Sequence, residues 1–390
     1  MGVKILSLFD GMACGMIAMQ LAGVEVESYD AYEIDKYAIK TAQHNFPMIK
    51  EHGDVFEADF TQYEDVDFLI GGSSCTYWSI AQTKNRETVA SGMGWELFSQ
   101  YVRALHEAKP KYFIYENNKS MSKQIRASID DAFGFEAVLI NSALVSAQNR
   151  RRLYWVGKRN ADGTYSQVNV EQPADRGILL KDVLDSAVAR DLTCNDKSYT
   201  LTATYDGACA WNTIERHQRN MVAEPINVTE GGKSQTLKAQ YCKNSVANFC
   251  CYSSTYGASG VAEPVNITQD GKAQCLRATC YKDGIRNIIA NDVDKKTGVA
   301  EPINDICQDG NEINVYEVKD GKITIKGKQY PIKLKDGFYI IRKLSVSECK
   351  RLQTVPEWYE FPVSNSRAYK MLGNGWTCEV IAHLILSCNG

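Results

Sequence analysis

Up to about residue 160, short apolar runs alternate with amphipathic stretches. That rhythm predicts strands buried on both faces with helices covering them. Val3 to Ser7 predicts a first strand, and Met16 to Ala22 a helix stopped by Gly23. The turn between them, Phe9-Asp10-Gly11-Met12-Ala13-Cys14-Gly15, is rich in small residues. Ser28 to Tyr32 predicts a second strand ending at Glu33, and Gly53-Asp54-Val55 closes a third. Phe68-Leu69-Ile70-Gly71 is a short buried strand that Gly72-Ser73-Ser74 breaks into a loop carrying Cys75 and, further on, Ser79. Leu97, Phe98, Tyr101, Val102 and Leu105 form the apolar face of a helix from Trp95 to Ala108, ended by Pro110. Tyr112 to Tyr115 is a strand leading into Glu116-Asn117-Asn118, and Ala137 to Ile140 is a further apolar run. Then Gln148-Asn149-Arg150-Arg151-Arg152 feeds an apolar strand, Leu153-Tyr154-Trp155-Val156.

The texture changes after Gln172-Pro173-Ala174-Asp175-Arg176-Gly177. From about residue 190 the chain consists of short β-like runs punctuated by Gly, Asn, Asp and Thr. Ala223-Glu224-Pro225-Ile226-Asn227 recurs as Ala262-Glu263-Pro264-Val265-Asn266 and as Ala300-Glu301-Pro302-Ile303-Asn304. Such recurrence marks a duplicated β-rich unit. Two readings stay open: a purely structural duplication, or a recognition surface carrying Lys197, Lys233, Lys238, Lys272 and Arg277. Phe338 to Leu344 returns to strand character. Ser345 to Leu352 reads as a helix with Ser345 and Glu348 as a capping box. Gly373-Asn374-Gly375-Trp376 reads as a turn and Val380 to Leu386 as a last helix. The expected domains are therefore 1–176, a β-rich insertion at 177–337, and a segment 338–390 that packs back on the first.

Composition narrows the class. The chain has 390 residues, 44% hydrophobic and 23% charged, with net charge −3, so a polyanionic partner must be met by a local patch. The N-terminal apolar run is too short for a signal peptide, and no run approaches a membrane span. Thirteen Cys without a leader imply free thiols in a reducing cytoplasm. No C-x-x-C occurs and the five His lack ligand spacing, so no metal is expected.

The strand, small-residue turn, helix, strand and acid of residues 3–33 suit a nucleoside: backbone N–H groups approach at the turn and Glu33 takes ribose hydroxyls. The turn lacks G-x-G-x-x-G, so a dinucleotide is not favoured, and an ordinary βαβ unit is the plain alternative. Cys75, on a Gly-rich loop after a strand, is placed for a nucleophilic thiolate, although an isolated Cys is more often a small buried hydrophobe.

Taken together and in order, these motifs resemble the C5-cytosine DNA methyltransferases. Phe9-Asp10-Gly11 with Gly15 is similar to that family's first cofactor motif, and Ser74-Cys75 stands where its Pro-Cys belongs. Glu116-Asn117-Asn118 matches Glu-Asn-Val at two of three places, and Gln148 to Arg152 fits Gln-x-Arg-x-Arg. Arg342 to Gln353 and Gly373-Asn374 resemble the ninth and tenth motifs. The resemblance implies an α/β, Rossmann-like S-adenosylmethionine-dependent methyltransferase sheet with an inserted β-rich target-recognition domain. It implies a cytosine flipped out of double-stranded DNA, attacked at C6 by Cys75, with Glu116 on N3 and Arg152 on O2. S-adenosylmethionine would be held by Phe9, Asp10, Gly11, Gly15, Glu33, Asp54, Leu97 and Asn374, with no metal. Ser79, Gln148 and Arg150 would lie against the DNA. A monomer in the cytoplasm of a bacterium or phage-infected cell is expected. The same chemistry on transfer RNA, and a silent DNA-binding relative, are the competing expectations. Ser74 in place of Pro loosens the loop in principle, because proline fixes φ.

Overall fold

A computed structural model describes residues 2–63, 65–73, 76–80, 86–187, 189–226, 303–306 and 312–388. The chain divides into two units. The first comprises Met1–Val183, Asp196–Gly207 and Val346–Gly390; the second comprises Leu184–Asn195 and Ala208–Ser345.

The first unit is built on a sheet of β1 (Val3–Leu8), β2 (Val26–Tyr32), β3 (Lys50–Glu51), β4 (Phe68–Gly71), β5 (Tyr112–Asn118), β6 (Val138–Asn141), β7 (Arg151–Arg159) and β8 (Tyr165–Gln167). Its order is β3-β2-β1-β4-β5-β7-β6, with β8 on β7. The strands from β3 to β5 run parallel, whereas β7 is antiparallel to β5, β6 and β8. The order reverses at β1, with β2 on one side and β4 on the other, and open α/β sheets bind ligands at the strand C-termini beside such a reversal. The covering helices are α1 (Cys14–Leu21), α2 (Lys36–Asn45), α3 (Met93–Ala108), α4 (Lys123–Phe133) and the short α5 (Leu180–Val183).

Local chemistry sets their ends. Asp35 caps α2 by accepting from Tyr37 N, and Ser122 caps α4 by accepting from Ile125 N. Gly134, at φ 82°, ends α4 in the left-handed conformation. Phe98, Tyr101, Phe113, Tyr115, Phe133 and Trp155 form one buried aromatic cluster under α3 and α4. The Tyr101 hydroxyl, within hydrogen-bonding distance of both Leu69 O (3.1 Å) and Ile114 O (2.9 Å), ties α3 to β4 and β5.

In the second unit, β9 (Arg190–Asp191), β10 (Met221–Ile226), β11 (Ile303–Ile306), β12 (Glu312–Lys319), β13 (Lys322–Ile325), β14 (Lys328–Pro331) and β15 (Gly337–Lys343) form an antiparallel sheet, accompanied by α6 (Ala210–Arg216). The order is β14-β13-β12-β15-β10-β9, with β11 on β12. Glu224 Oε1 on β10 takes both Arg342 Nε (2.8 Å) and Nη2 (2.7 Å) from β15, a buried ion pair made through one carboxylate oxygen. The strand read as the start of the returning tail thus pairs inside this second sheet, and Val346 is where the chain re-enters the first unit. There follow α7 (Val346–Leu352), α8 (Asn365–Asn374) and α9 (Cys378–Cys388), the last packing on α1. Gly373 and Asn374, read as a turn, are the last residues of α8.

Candidate active site

Two clusters form where β1 to β5 end. The first lies beyond β1, β2 and β3. Phe9 and Ala13 adopt left-handed backbone at φ 58° and 59°, a conformation that costs a non-glycine residue about 1–2 kcal/mol and that gathers at functional sites. Gly11, at φ 63°, donates its N–H to Glu33 Oε2 at 2.8 Å. Glu33 Oε1 accepts from Ile34 N and Asp35 N, both at 2.8 Å. Three backbone donors therefore hold Glu33, and a carboxylate has about four acceptor sites. Asp10 is buried: its Oδ1 accepts from Ser7 Oγ (2.6 Å) and Tyr29 OH (2.5 Å), while its Oδ2 has no partner. Burial raises its pKa to about 6.

Glu51, at the end of β3, carries no local sequence signal that marks it. Both its carboxylate oxygens are buried without a partner. Desolvation, then the charges of Asp10 and Glu33, push its pKa up to about 8. Three carboxyl groups thus share one field with too few donors. Such a set attracts a cation with hydroxyls and repels a phosphate.

The expected third strand at residues 53–55 lies instead at Lys50–Glu51, and Asp54 caps the following 3₁₀ turn by accepting from Phe56 N at 3.0 Å. A Cβ on Gly15 would stand 2.3 Å from Ile70 Cδ1 and 2.6 Å from Tyr29 OH, so this glycine is what lets α1 approach the sheet so closely. Phe9 and Leu97 pack, half-buried, on the aromatic core. Ile34 (74% exposed), directly after Glu33, and Phe56 (45%), two residues after Asp54, are large exposed apolar side chains. In sequence they look like any other apolar residues; only their exposure at strand and turn ends singles them out.

The second cluster lies beyond β4 and β5. Glu116 is buried at the end of β5. Its Oε1 lies 3.0 Å from Arg152 Nε on β7, and its Oε2 accepts from Trp376 Nε1 at 3.0 Å. Gly72 lies against it: a Cβ there would stand 3.0 Å from Glu116 Oε2. Ser73 Oγ is 2.6 Å from Tyr115 OH, and Asn117 Nδ2 donates to Ser73 O at 3.2 Å, so β5 side chains pin the start of the loop after β4. Past the loop, Trp78 is fully buried and donates to Glu87 Oε2 at 3.0 Å. Asn118 Oδ1 accepts from Ser120 Oγ at 2.7 Å. Ser79 is half-buried beside Trp78. Ser74 and Cys75 lie outside the described residues, as do Lys233, Lys238, Lys272 and Arg277.

Gln148 and Arg150 are turned inward. The Gln148 amide donates to Leu352 O and accepts from Leu201 N. Arg150, 2% exposed, donates to the carbonyls of Leu201 (3.0 Å), Gly373 (3.3 Å) and Gly375 (2.8 Å). With their polar groups spent on backbone carbonyls and amides, these two side chains hold the returning tail, which corrects the expectation that they lie against DNA. Lys197 likewise gives its ammonium to the carbonyls of Ala143, Ser146 and Ile178 rather than to a recognition surface. Gly373 is required by closeness: a Cβ there would meet Thr202 and Ala203 backbone atoms at 2.1–2.3 Å. Asn374 is exposed at the end of α8. No group of three or more His, Cys, Asp or Glu among the described residues is arranged to hold a metal, and no helix among them is long and apolar enough to cross a membrane.

Known proteins resemble this chain in sequence or in fold. The orphan methyltransferase M.Rho11sI of Bacillus phage rho11s is 34% identical over 169 residues, 40% of this chain and 33% of that protein. The type II methyltransferase M1.ScrFI of Lactococcus lactis subsp. cremoris is 30% identical over 257 residues, 62% of each. The matched segments thus span between a third and three-fifths of those relatives. A triple mutant of DNMT2 from Spodoptera frugiperda shares the fold over the whole of both chains, with a TM-score of 0.53 at 14% identity. The model of the C-5 cytosine-specific DNA methylases matches residues 3–389, and the chain belongs to that family.

Proposed function

We propose that the chain transfers a methyl group from S-adenosylmethionine to C5 of a cytosine in double-stranded DNA. The observation that carries this reading is the Glu116 carboxylate, buried at a strand end and held by Arg152 beside the loop that leads to Cys75. C5 of cytosine is a poor nucleophile until a group adds at C6. The Cys75 thiolate adds there, and the ring electrons move toward C5. Glu116 holds or protonates N3, and Arg152 contacts O2 and steadies Glu116. C5 takes the methyl group, leaving the donor's sulfur as a neutral thioether; the C5 proton passes to solvent, any proton on N3 returns to Glu116, the thiolate departs from C6, and the aromatic ring is restored. The base is flipped out of the helix, since C5 and C6 cannot be reached within the stack.

The first cluster fits the methyl donor. S-adenosylmethionine is a cation with ribose hydroxyls, and it supplies an activated methyl group. Glu33 takes the hydroxyls, Asp54 the adenine amino group, and Ile34 and Phe56 offer apolar faces to the base. Asp10, and Glu51 once it gives up its proton, favour the positive charge through their unpartnered oxygens. Phe9, Gly11, Leu97 and Asn374 line the remainder, while Gly15 serves by packing. The second unit reads the target sequence, with exposed lysines such as Lys322 and Lys326 on phosphates.

Incubation with labelled S-adenosylmethionine and mixed-sequence duplex tests this. Label is expected on the duplex and absent with Cys75→Ala, and a duplex carrying 5-fluorocytosine is expected to trap a covalent complex stable in denaturing gels. Label confined to RNA, or duplex binding without label, overturns the reading.

A further inference from the structure

Glu116 has a second partner that the reaction chemistry does not call for. Trp376 comes from the returning tail, just past the end of α8, and its indole N–H donates to Glu116 Oε2 at 3.0 Å. Arg152 takes the other oxygen at the same distance. An indole nitrogen can only donate and its ring cannot pivot freely, so it fixes where Oε2 sits.

The turn that presents Trp376 is itself clamped. Arg150 binds the carbonyls of Gly373 and Gly375, and Gln353 Nε2 binds those of Leu372 (2.5 Å) and Gly375 (3.2 Å). On its far side Thr377 Oγ1 donates to Gln353 Oε1 at 3.0 Å and shares a 2.8 Å hydrogen bond with Ser142 Oγ. Gly72 leaves the space: a Cβ there would lie 3.4 Å from Trp376 Nε1 as well as 3.0 Å from Glu116 Oε2. Every backbone carbonyl from Leu372 to Gly375 that these bonds use is fixed by a buried side chain, and what the clamped turn delivers to the second cluster is one indole N–H.

From this geometry we infer that Trp376 is a positioning residue for Glu116, aiming its carboxyl at the substrate base, with Arg150 acting one layer behind through the carbonyls of Gly373 and Gly375. This rests on the methyl-transfer reading above. A misplacement of about 1 Å in such a group costs on the order of 100-fold in rate.

Trp376→Phe removes the donor and keeps an aromatic ring. Its kcat on duplex DNA is expected to fall about 10- to 100-fold, with KM for S-adenosylmethionine and for duplex within about threefold of wild type. The penalty is expected to vanish when both Trp376→Phe and its parent carry Glu116→Gln, compared by single-turnover label transfer. A merely structural role would cost the same in both backgrounds. A kcat within twofold of wild type, or an equal penalty in both backgrounds, overturns the inference. The contact is also read without turnover. The chain has six Trp, so the ¹H–¹⁵N spectrum holds six indole peaks. The peak lost in Trp376→Phe is expected to shift in Glu116→Gln, and a peak that stays put overturns the inference whatever the activity. If wild type labels no duplex but that peak does shift, the methyl-transfer reading has failed and the contact stands.

Discussion

The two clusters at the sheet's edge treat their carboxyl groups in opposite ways. Beyond β1 to β3, Asp10 Oδ2 and both oxygens of Glu51 are buried with no donor. Beyond β5, Glu116 has a donor on each oxygen. An unmatched buried carboxyl is costly and stays costly until something cationic arrives. A matched one is already in its working position. The contrast separates a half whose buried carboxyl oxygens lack donors from a half whose carboxylate is pre-organised; on the function proposed above, the first would hold the methyl donor and the second the catalytic acid.

The matched side should be the more sensitive to a change of one atom. Glu116→Gln is expected to lower kcat by about 100- to 10,000-fold, the range for loss of a general acid, while calorimetric binding of S-adenosylmethionine stays within a few-fold. Comparable losses in binding and in turnover would erase the distinction between the halves. Arg150→Met strips donors from three buried carbonyls and is expected to cost about 3 kcal/mol in urea unfolding; a cost near zero would mean that the clamp on the tail is dispensable.

The smallest effect lies on the unmatched side. Glu51 keeps its proton up to about pH 8 when folded, against a value of 4.5 for an unperturbed glutamate. The folded state therefore holds more protons than the unfolded state between those values. Glu51's contribution is greatest below about pH 4.5 and is lost as the pH rises through about 8. Asp10 adds a loss of the same sign between 3.8 and about 6. Glu51→Gln should flatten the profile and raise the ligand-free protein's stability at pH 8 by about 1 kcal/mol, a figure discounted for partial exposure. It should also weaken S-adenosylmethionine binding several-fold. Unchanged stability between pH 5 and pH 8 in wild type would show that Glu51 is not held unmatched.

Much of the first unit was legible in the chain itself. Its strands are apolar runs of period and length that admit few alternatives, and Glu33, Glu116 and Arg152 each stand at the end or start of such a run. What stayed hidden depends on distance along the chain. Glu116 and Trp376 are separated by 260 residues, and no local pattern announces their bond. Three consecutive arginines look equivalent, yet Arg150 is buried and Arg151 exposed, because only the former meets the carbonyls of the tail. Glu51 resembled any surface acid until β3 placed it beside Asp10 and Glu33. Gly373-Asn374-Gly375 has the composition of a turn, but Gly373 serves as the small residue over which Thr202 and Ala203 pass.

The hydroxyl of Tyr359 donates to Met12 O at 2.6 Å, across 347 positions of sequence, and α9 covers α1. The turn at Met12 is thus braced by residues translated 347 positions later. During synthesis the small-residue turn must wait, uncovered, through the whole insertion. Contacts of such long range make folding slow and leave apolar surface open to aggregation meanwhile. A ribosome that stalls anywhere in the second unit therefore leaves a chain with neither a braced turn nor a partner for Glu116 Oε2.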